Sequence, residues 1–203
     1  MKENRYWAVV FMFVLTAILS TILIGLARFT EPQVRLNQQI AFETAAVRCI
    51  PSTEAKTPAE IHAIFERDFV KPESAAGAFV YQPSGKAAGY ALPFSGQGFW
   101  STIRGVIGIG IDRKTVLGIW FYEQAETPGL GARIVEPFFY GQFAGKTLSP
   151  GARPIPIRPV ADATDKDIAA ISGATQTCVR LEKLLNTAIE EWRNKMTQGG
   201  QGQ

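Results

Sequence analysis

Histidine is almost missing from this chain of 203 residues. His62 is the only one, so no set of imidazoles is available to hold a metal, and no spacing of carboxylates suggests a metal site either. Cysteine is nearly as scarce. Cys49 and Cys178 are too few for a disulfide framework, although a single bridge between them stays open. Long runs of one charge are also absent. The 21 Lys and Arg against 18 Asp and Glu leave a net charge of +3, scattered along the chain. Nucleic-acid binding would call for a basic stripe with interleaved aromatics, which is not there. No Gly-x-Ser-x-Gly elbow occurs, and one histidine gives a hydrolytic triad no obvious base. There is no internal repeat.

What the chain does have begins at its N-terminus. Tyr6 to Ala27 carries no charge and is dominated by Val, Phe, Leu and Ile. About 20 apolar residues are needed to cross the hydrocarbon core as a helix. Residues 6–27 therefore read as one transmembrane helix, with 1–5 as a cytoplasmic flank. Leu26-Ala27-Arg28 makes a poor signal-peptide cleavage site, so the span is expected to be retained. Lys2 and Arg5 precede it, while Arg28 and Arg35 beyond it are partly offset by Glu31. This places the N-terminus in the cytoplasm and the rest outside, with Tyr6 and Trp7 at the interface.

Residues 28–75 read as a helical stalk and linker. Pro32 can open a helix, Val34 to Val47 is apolar at helical spacing, and Pro51 to Pro58 is polar. Ile61, Ile64, Phe65 and Phe69 then form a helical stripe, and His62 on another face is expected to be solvated or hydrogen-bonded. From Gly77 the pattern turns to strands. Pro83-Ser84-Gly85-Lys86 and Asp112-Arg113-Lys114-Thr115 are hairpin turns between short apolar runs. Gly105, Gly108 and Gly110 suggest a twisted or bulged strand, or a strand against which a flat ligand lies. Phe138 to Phe143 is expected to be core, Pro154 to Val160 extended, and Leu181 to Trp192 a long amphipathic helix. Residues 76–198 thus make one α+β domain, followed by a flexible tail at 199–203.

Ser172-Gly173-Ala174-Thr175 stands where that last helix begins. A helix start presents unpaired N–H groups and partial positive charge to an anion, and Gly173 and Ala174 leave room for one. Thr175 could equally cap the helix. Glu126-Thr127-Pro128-Gly129-Leu130-Gly131 and Gly96-Gln97-Gly98-Phe99-Trp100-Ser101 are the other conspicuous segments. With the N-terminal span they occur in an order that resembles the FMN-binding subunits of ion-translocating respiratory complexes. These are the C subunit of the sodium-translocating NADH:quinone oxidoreductase and the G subunit of the Rnf ferredoxin:NAD oxidoreductase. Gly-x-Gly-Phe-Trp-Ser leans towards the first, and the compact length towards the second.

The resemblance implies FMN as cofactor, joined through its phosphate to the Thr175 hydroxyl, within residues 76–198 as the FMN-binding domain. Ser172, Gly173 and Ala174 would surround the attachment point. Glu126, Thr127, Gly129, Leu130 and Gly131 would lie along the flavin ring, with Leu130 the apolar contact and Thr127 a polar one. Gly98 and Trp100 would border the same pocket, although Trp100 could also be plain core. The family's aspartate six residues before the threonine corresponds here to Ala169. Implied partners are other membrane subunits of a redox complex, a flavin transferase during maturation, and the lipid bilayer of a bacterial inner membrane, with the domain on its periplasmic or outer face. The rival reading is a flavin-free, membrane-anchored assembly or binding module of the same fold.

Overall fold

A computed structural model describes residues 3–50 and 57–199. Residues 1–2, 51–56 and 200–203, which take in much of the expected flank, linker and tail, lie outside the described residues. The chain divides into two compact units, Met1–Ile40 and Ala41–Gln203.

The first unit is helical. Helix α1 spans Glu3–Arg48, and residues 6–39 of it are exposed, including Phe11, Phe13, Ile22, Leu23 and Phe29. It is the one described helix long and apolar enough to cross a membrane. The hydroxyls of Thr21 and Thr30 donate back to the carbonyls of Ala17 and Leu26, so neither is left unpaired in the apolar stretch. Pro32 does not open a second helix as expected, because α1 runs straight through it. Proline removes one donor, the N–H that would have met the Arg28 carbonyl. A Glu31–Arg35 ion pair at 2.6 Å closes the turn across it.

The second unit is α+β, as the sequence suggested. Strands β1 (Phe69–Val70), β2 (Phe79–Tyr81), β3 (Gly89–Gln97), β4 (Thr102–Gly110) and β5 (Val116–Glu123) form one antiparallel sheet in sequence order. Both expected hairpins are present, pairing β2 with β3 and β4 with β5. Side chains alternate between the faces. On β3, Tyr90, Leu92 and Phe94 enter one core, while Ala91 enters another.

The first core is closed by helix α4 (Thr175–Gly199), which buries Cys178, Leu181, Leu185, Ile189 and Trp192. The Trp192 indole N–H donates to the Ala75 carbonyl at 3.1 Å. Short helix α3 (Pro137–Tyr140) and the turn after it add Phe139 and Phe143, whereas Phe138 stays 47% exposed. A small parallel pair, β6 (Ile157–Arg158) and β7 (Ile168–Ala169), lies ahead of α4.

The second core is closed by the end of α1 and by helix α2 (Pro58–Asp68), so residues 41–50 and 58–70 of the segment read as stalk and linker cover one face of the domain. A capping box between Thr57 and Glu60 starts α2, and Ile61 and Phe65 point inward. His62 does take a hydrogen-bond partner, with its Nδ1 2.8 Å from Glu43 Oε2.

The glycines of β4 are explained by this two-sided packing. Register shifts fall at Arg104/Gly105 and Gly108/Ile109, giving the bulged strand. Gly108 pairs with Gly118 on β5, and a Cβ on either would lie 2.5 or 2.8 Å from the Cys49 carbonyl oxygen. A Cβ on Gly105 would meet the Phe94 ring at 2.4 Å. Protein fills these spaces, so the alternative of a flat ligand along this strand is set aside. The two cysteines are buried free thiols in different cores, one on each face of the sheet, and the bridge left open by the sequence does not form.

Candidate functional site

Three chain segments converge at one end of the sheet. The first is the turn from β3 to β4, closed by a hydrogen bond from Gly98 N–H to the Ser101 carbonyl at 2.7 Å. The second is the loop after β5. There Thr127-Pro128-Gly129-Leu130 makes a β-turn with Gly129 at φ +74 and Leu130 N–H donating to the Thr127 carbonyl. The third is the entry to α4, where Gly173 takes φ +80. A Cβ at Gly173 would also lie 2.9 Å from a Leu130 methyl, so glycine is required there twice over.

Between these segments lies a cavity of about 360 Å3, lined by Phe99, Trp100, Thr127, Leu130, Gly131 and residues 173–177. Of the residues expected from the sequence, Trp100, Thr127, Leu130, Gly131, Gly173, Ala174 and Thr175 line it. Trp100 is 67% exposed, so it is not core. Phe99 packs edge-on against it at 5.0 Å, with the Arg180 guanidinium over the Phe99 ring. Gly129 sits at the turn apex and Ser172 is exposed beside the cavity; neither lines it.

Glu126 and Gly98 lie behind the wall. Glu126 is buried, and its Oε1 accepts the backbone N–H groups of Trp100 at 2.9 Å and Ser101 at 3.1 Å. Its Oε2 accepts the Thr177 hydroxyl at 2.8 Å. Burial pushes this carboxyl upward. The donors from Trp100, Ser101, Thr177 and Phe99 outweigh that and hold it below its ordinary value, so it is ionised at neutral pH. Gly98 and Gly131 make room for it, since their Cβ atoms would stand 2.6 Å from Oε1 and 3.1 Å from Oε2.

Thr175 is the first residue of α4, and its exposed hydroxyl has no hydrogen-bond partner among the described residues. It does not cap the helix. Ala174 holds the cap position, its carbonyl accepting the Cys178 N–H at 3.0 Å. The N–H groups of Thr175, Gln176 and Thr177 precede the first hydrogen bond of α4 and are available to an anion. Phe99, Gln176 and Thr177 were not anticipated. Phe99 and Gln176 adjoin anticipated residues, but nothing local marks Thr177, whose partner is 51 residues away.

The donor set fits a flavin mononucleotide. A phosphate would meet three free N–H groups and the Thr175 hydroxyl, and a flat ring would meet Phe99, Trp100 and Leu130. Bound there, FMN would supply electron-transfer chemistry.

Residues 98–190 match the FMN-binding domain family. The chain is 35% identical over 130 residues to the C subunit of Na(+)-translocating NADH-quinone reductase of Pasteurella multocida, covering 60% of this chain and 50% of the relative. It is 40% identical over 96 residues to the corresponding protein of Neisseria meningitidis serogroup A, covering 46% and 37%. The chain thus spans about half the length, or less, of the curated relatives it matches. The crystal structure of the Parabacteroides distasonis protein of the same name shares the fold, with a TM-score of 0.67 at 20% identity over 84% of this chain and 96% of that one. Shewanella oneidensis NqrC does so with a TM-score of 0.66 at 19% identity, over 83% and 100%. Cavity, domain match and fold agree: residues 98–190 form an FMN-binding domain, and the chain is similar to the C subunits that the sequence motifs resembled.

Proposed function

We propose that this chain is a membrane-anchored electron-transfer subunit whose FMN is held by a phosphoester at Thr175. The observation that carries the reading is the Thr175 hydroxyl. It is exposed, bonded to nothing among the described residues, and placed beside three free helix N–H groups on the rim of an apolar cavity. Attachment would proceed by attack of Thr175 Oγ1 on the FMN phosphorus of FAD. The O–P bond would form as the phosphoanhydride broke, with AMP as the leaving group and the hydroxyl proton passing to a base on the flavin transferase. This chain's part is to present the hydroxyl, orient the phosphate with α4, and seat the ring against Phe99, Trp100 and Leu130.

Among the two complexes, the relatives favour the sodium-translocating NADH:quinone oxidoreductase over the Rnf complex. Residues 6–27 are proposed as the span, with the N-terminus in the cytoplasm, the domain on the outer face, and other membrane subunits as electron donors and acceptors. No acidic or basic residue lies in that span, so ion movement is assigned to those partners.

One observation favours the flavin-free module. Position 169 on β7 is alanine and offers no carboxylate; its backbone N–H and carbonyl are both engaged by the Gln142 side chain. Co-expression with the native flavin transferase separates the two. Covalent FMN gives fluorescence that stays with the denatured band and disappears in Thr175→Ala. A colourless native protein that also fails to bind free FMN supports the module and overturns the flavin reading.

A further inference from the structure

Glu126 is the least expected group at the site, because a buried ionised carboxylate stands directly behind a cavity with an apolar rim. It reaches all three segments that build the cavity. It belongs to the loop after β5, takes two N–H donors from the β3–β4 turn, and takes the Thr177 hydroxyl from the first turn of α4. Two of the lining residues, Trp100 and Thr177, hydrogen-bond to it, and a third, Gly131, leaves the room it occupies. The two N–H groups that it occupies would otherwise be open to an anion, as those of residues 175–177 are. Donating to the carboxylate, those two N–H groups are closed to another acceptor.

We propose that Glu126 is a positioning residue with two separable effects: its reach fixes the cavity walls, and its fixed negative charge lowers the reduction potential of the bound flavin. This rests on the reading that FMN occupies the cavity. The charge argument is Coulombic. A carboxylate held one layer behind the wall, away from water, opposes added electron density on a ring in front of it. Stabilisation of the carboxylate by its own donors keeps the charge in place when the ring is reduced.

Two variants of the full-length, flavin-loaded protein separate the effects. Glu126→Gln keeps an oxygen for the Trp100 and Ser101 N–H groups, and its amide can donate to the Thr177 hydroxyl, so the shape stays while the charge goes. Its midpoint potential should rise by about 30 mV, a tenfold change in the two-electron equilibrium constant. Glu126→Asp keeps the charge but shortens the reach. It should hold the wild-type potential while the flavin circular-dichroism band weakens, as the ring loses its fixed seat.

An unchanged potential in Glu126→Gln would overturn the proposal. Should that variant fail to fold or to hold flavin, Thr177→Val takes its place. It removes one donor and leaves the carboxylate more concentrated in charge, so the potential should fall; no movement overturns the proposal. A wild-type protein without flavin would instead overturn the functional reading, which keeps the two failures distinct.

Discussion

The two faces of the sheet are closed by different means. On one, α4 lays a continuous apolar stripe ending in Trp192, and the loops at its N-terminal end leave a cavity open to solvent. On the other, the chain leaving α1 brings the Cys49 carbonyl close against β4 and β5, and helix α2 adds Phe65 to a run of packed rings with Phe42, Phe69, Phe79 and Tyr81. Glycine serves opposite purposes on the two sides. Gly108 and Gly118 give up side chains so that the Cys49 carbonyl can approach, and Gly98 and Gly131 give them up to admit a buried charge. One face is packed to exclude everything, while the other is packed around a polar hub so that a site can stay open.

The sharpest way to test this contrast is to damage each face in turn. Trp192→Ala empties the largest buried side chain of the α4 face and breaks its bond to Ala75. It should cost about 3–5 kcal/mol of unfolding free energy in a denaturant titration. Gly108→Ala forces a Cβ against the Cys49 carbonyl and should cost about 1–3 kcal/mol. If the faces share one cooperative unit, both variants will unfold in a single transition. A separate early transition in Gly108→Ala would break the comparison, because the α1–α2 face would then be an independent layer.

A smaller effect concerns pH. The hydrogen bond and charge of Glu43 raise the affinity of His62 for its proton. The folded value therefore lies above the unfolded one. The stabilisation is complete below the ordinary value of 6.5 and is lost as pH rises through the raised one. The denaturation midpoint should fall across that window in the wild type and stay flatter in His62→Asn; equal slopes would remove the pair from the account of this face. The smallest expected effect on stability is Thr175→Ala. Its hydroxyl has no partner among the described residues, so unfolding free energy should stay within about 0.5 kcal/mol while covalent flavin is lost entirely. A large loss of stability would mean that the hydroxyl supports the fold.

The sequence was legible where the forces are local. Both hairpins were marked by turn residues between alternating apolar runs, and α4 by its stripe from Leu181 to Trp192. The Pro128-Gly129 turn followed from the left-handed backbone that glycine permits. What could not be read depends on distant partners. Pro32 carries a helix-start preference, but the helical residues around it and the Glu31–Arg35 pair carry α1 through. Thr175 had the chemistry of a cap, yet the chain enters α4 one residue earlier, at Ala174. Glu126 was placed beside the flavin by resemblance, whereas its bonds run to residues 25, 26 and 51 positions away. Spacing along the chain holds no trace of those contacts.

The Thr175 hydroxyl makes no hydrogen bond among the described residues, so putting a larger group in place of its proton would break none of the bonds that those residues make. On the proposed reading, an enzyme that modifies Thr175 would have no internal contact of that hydroxyl to displace.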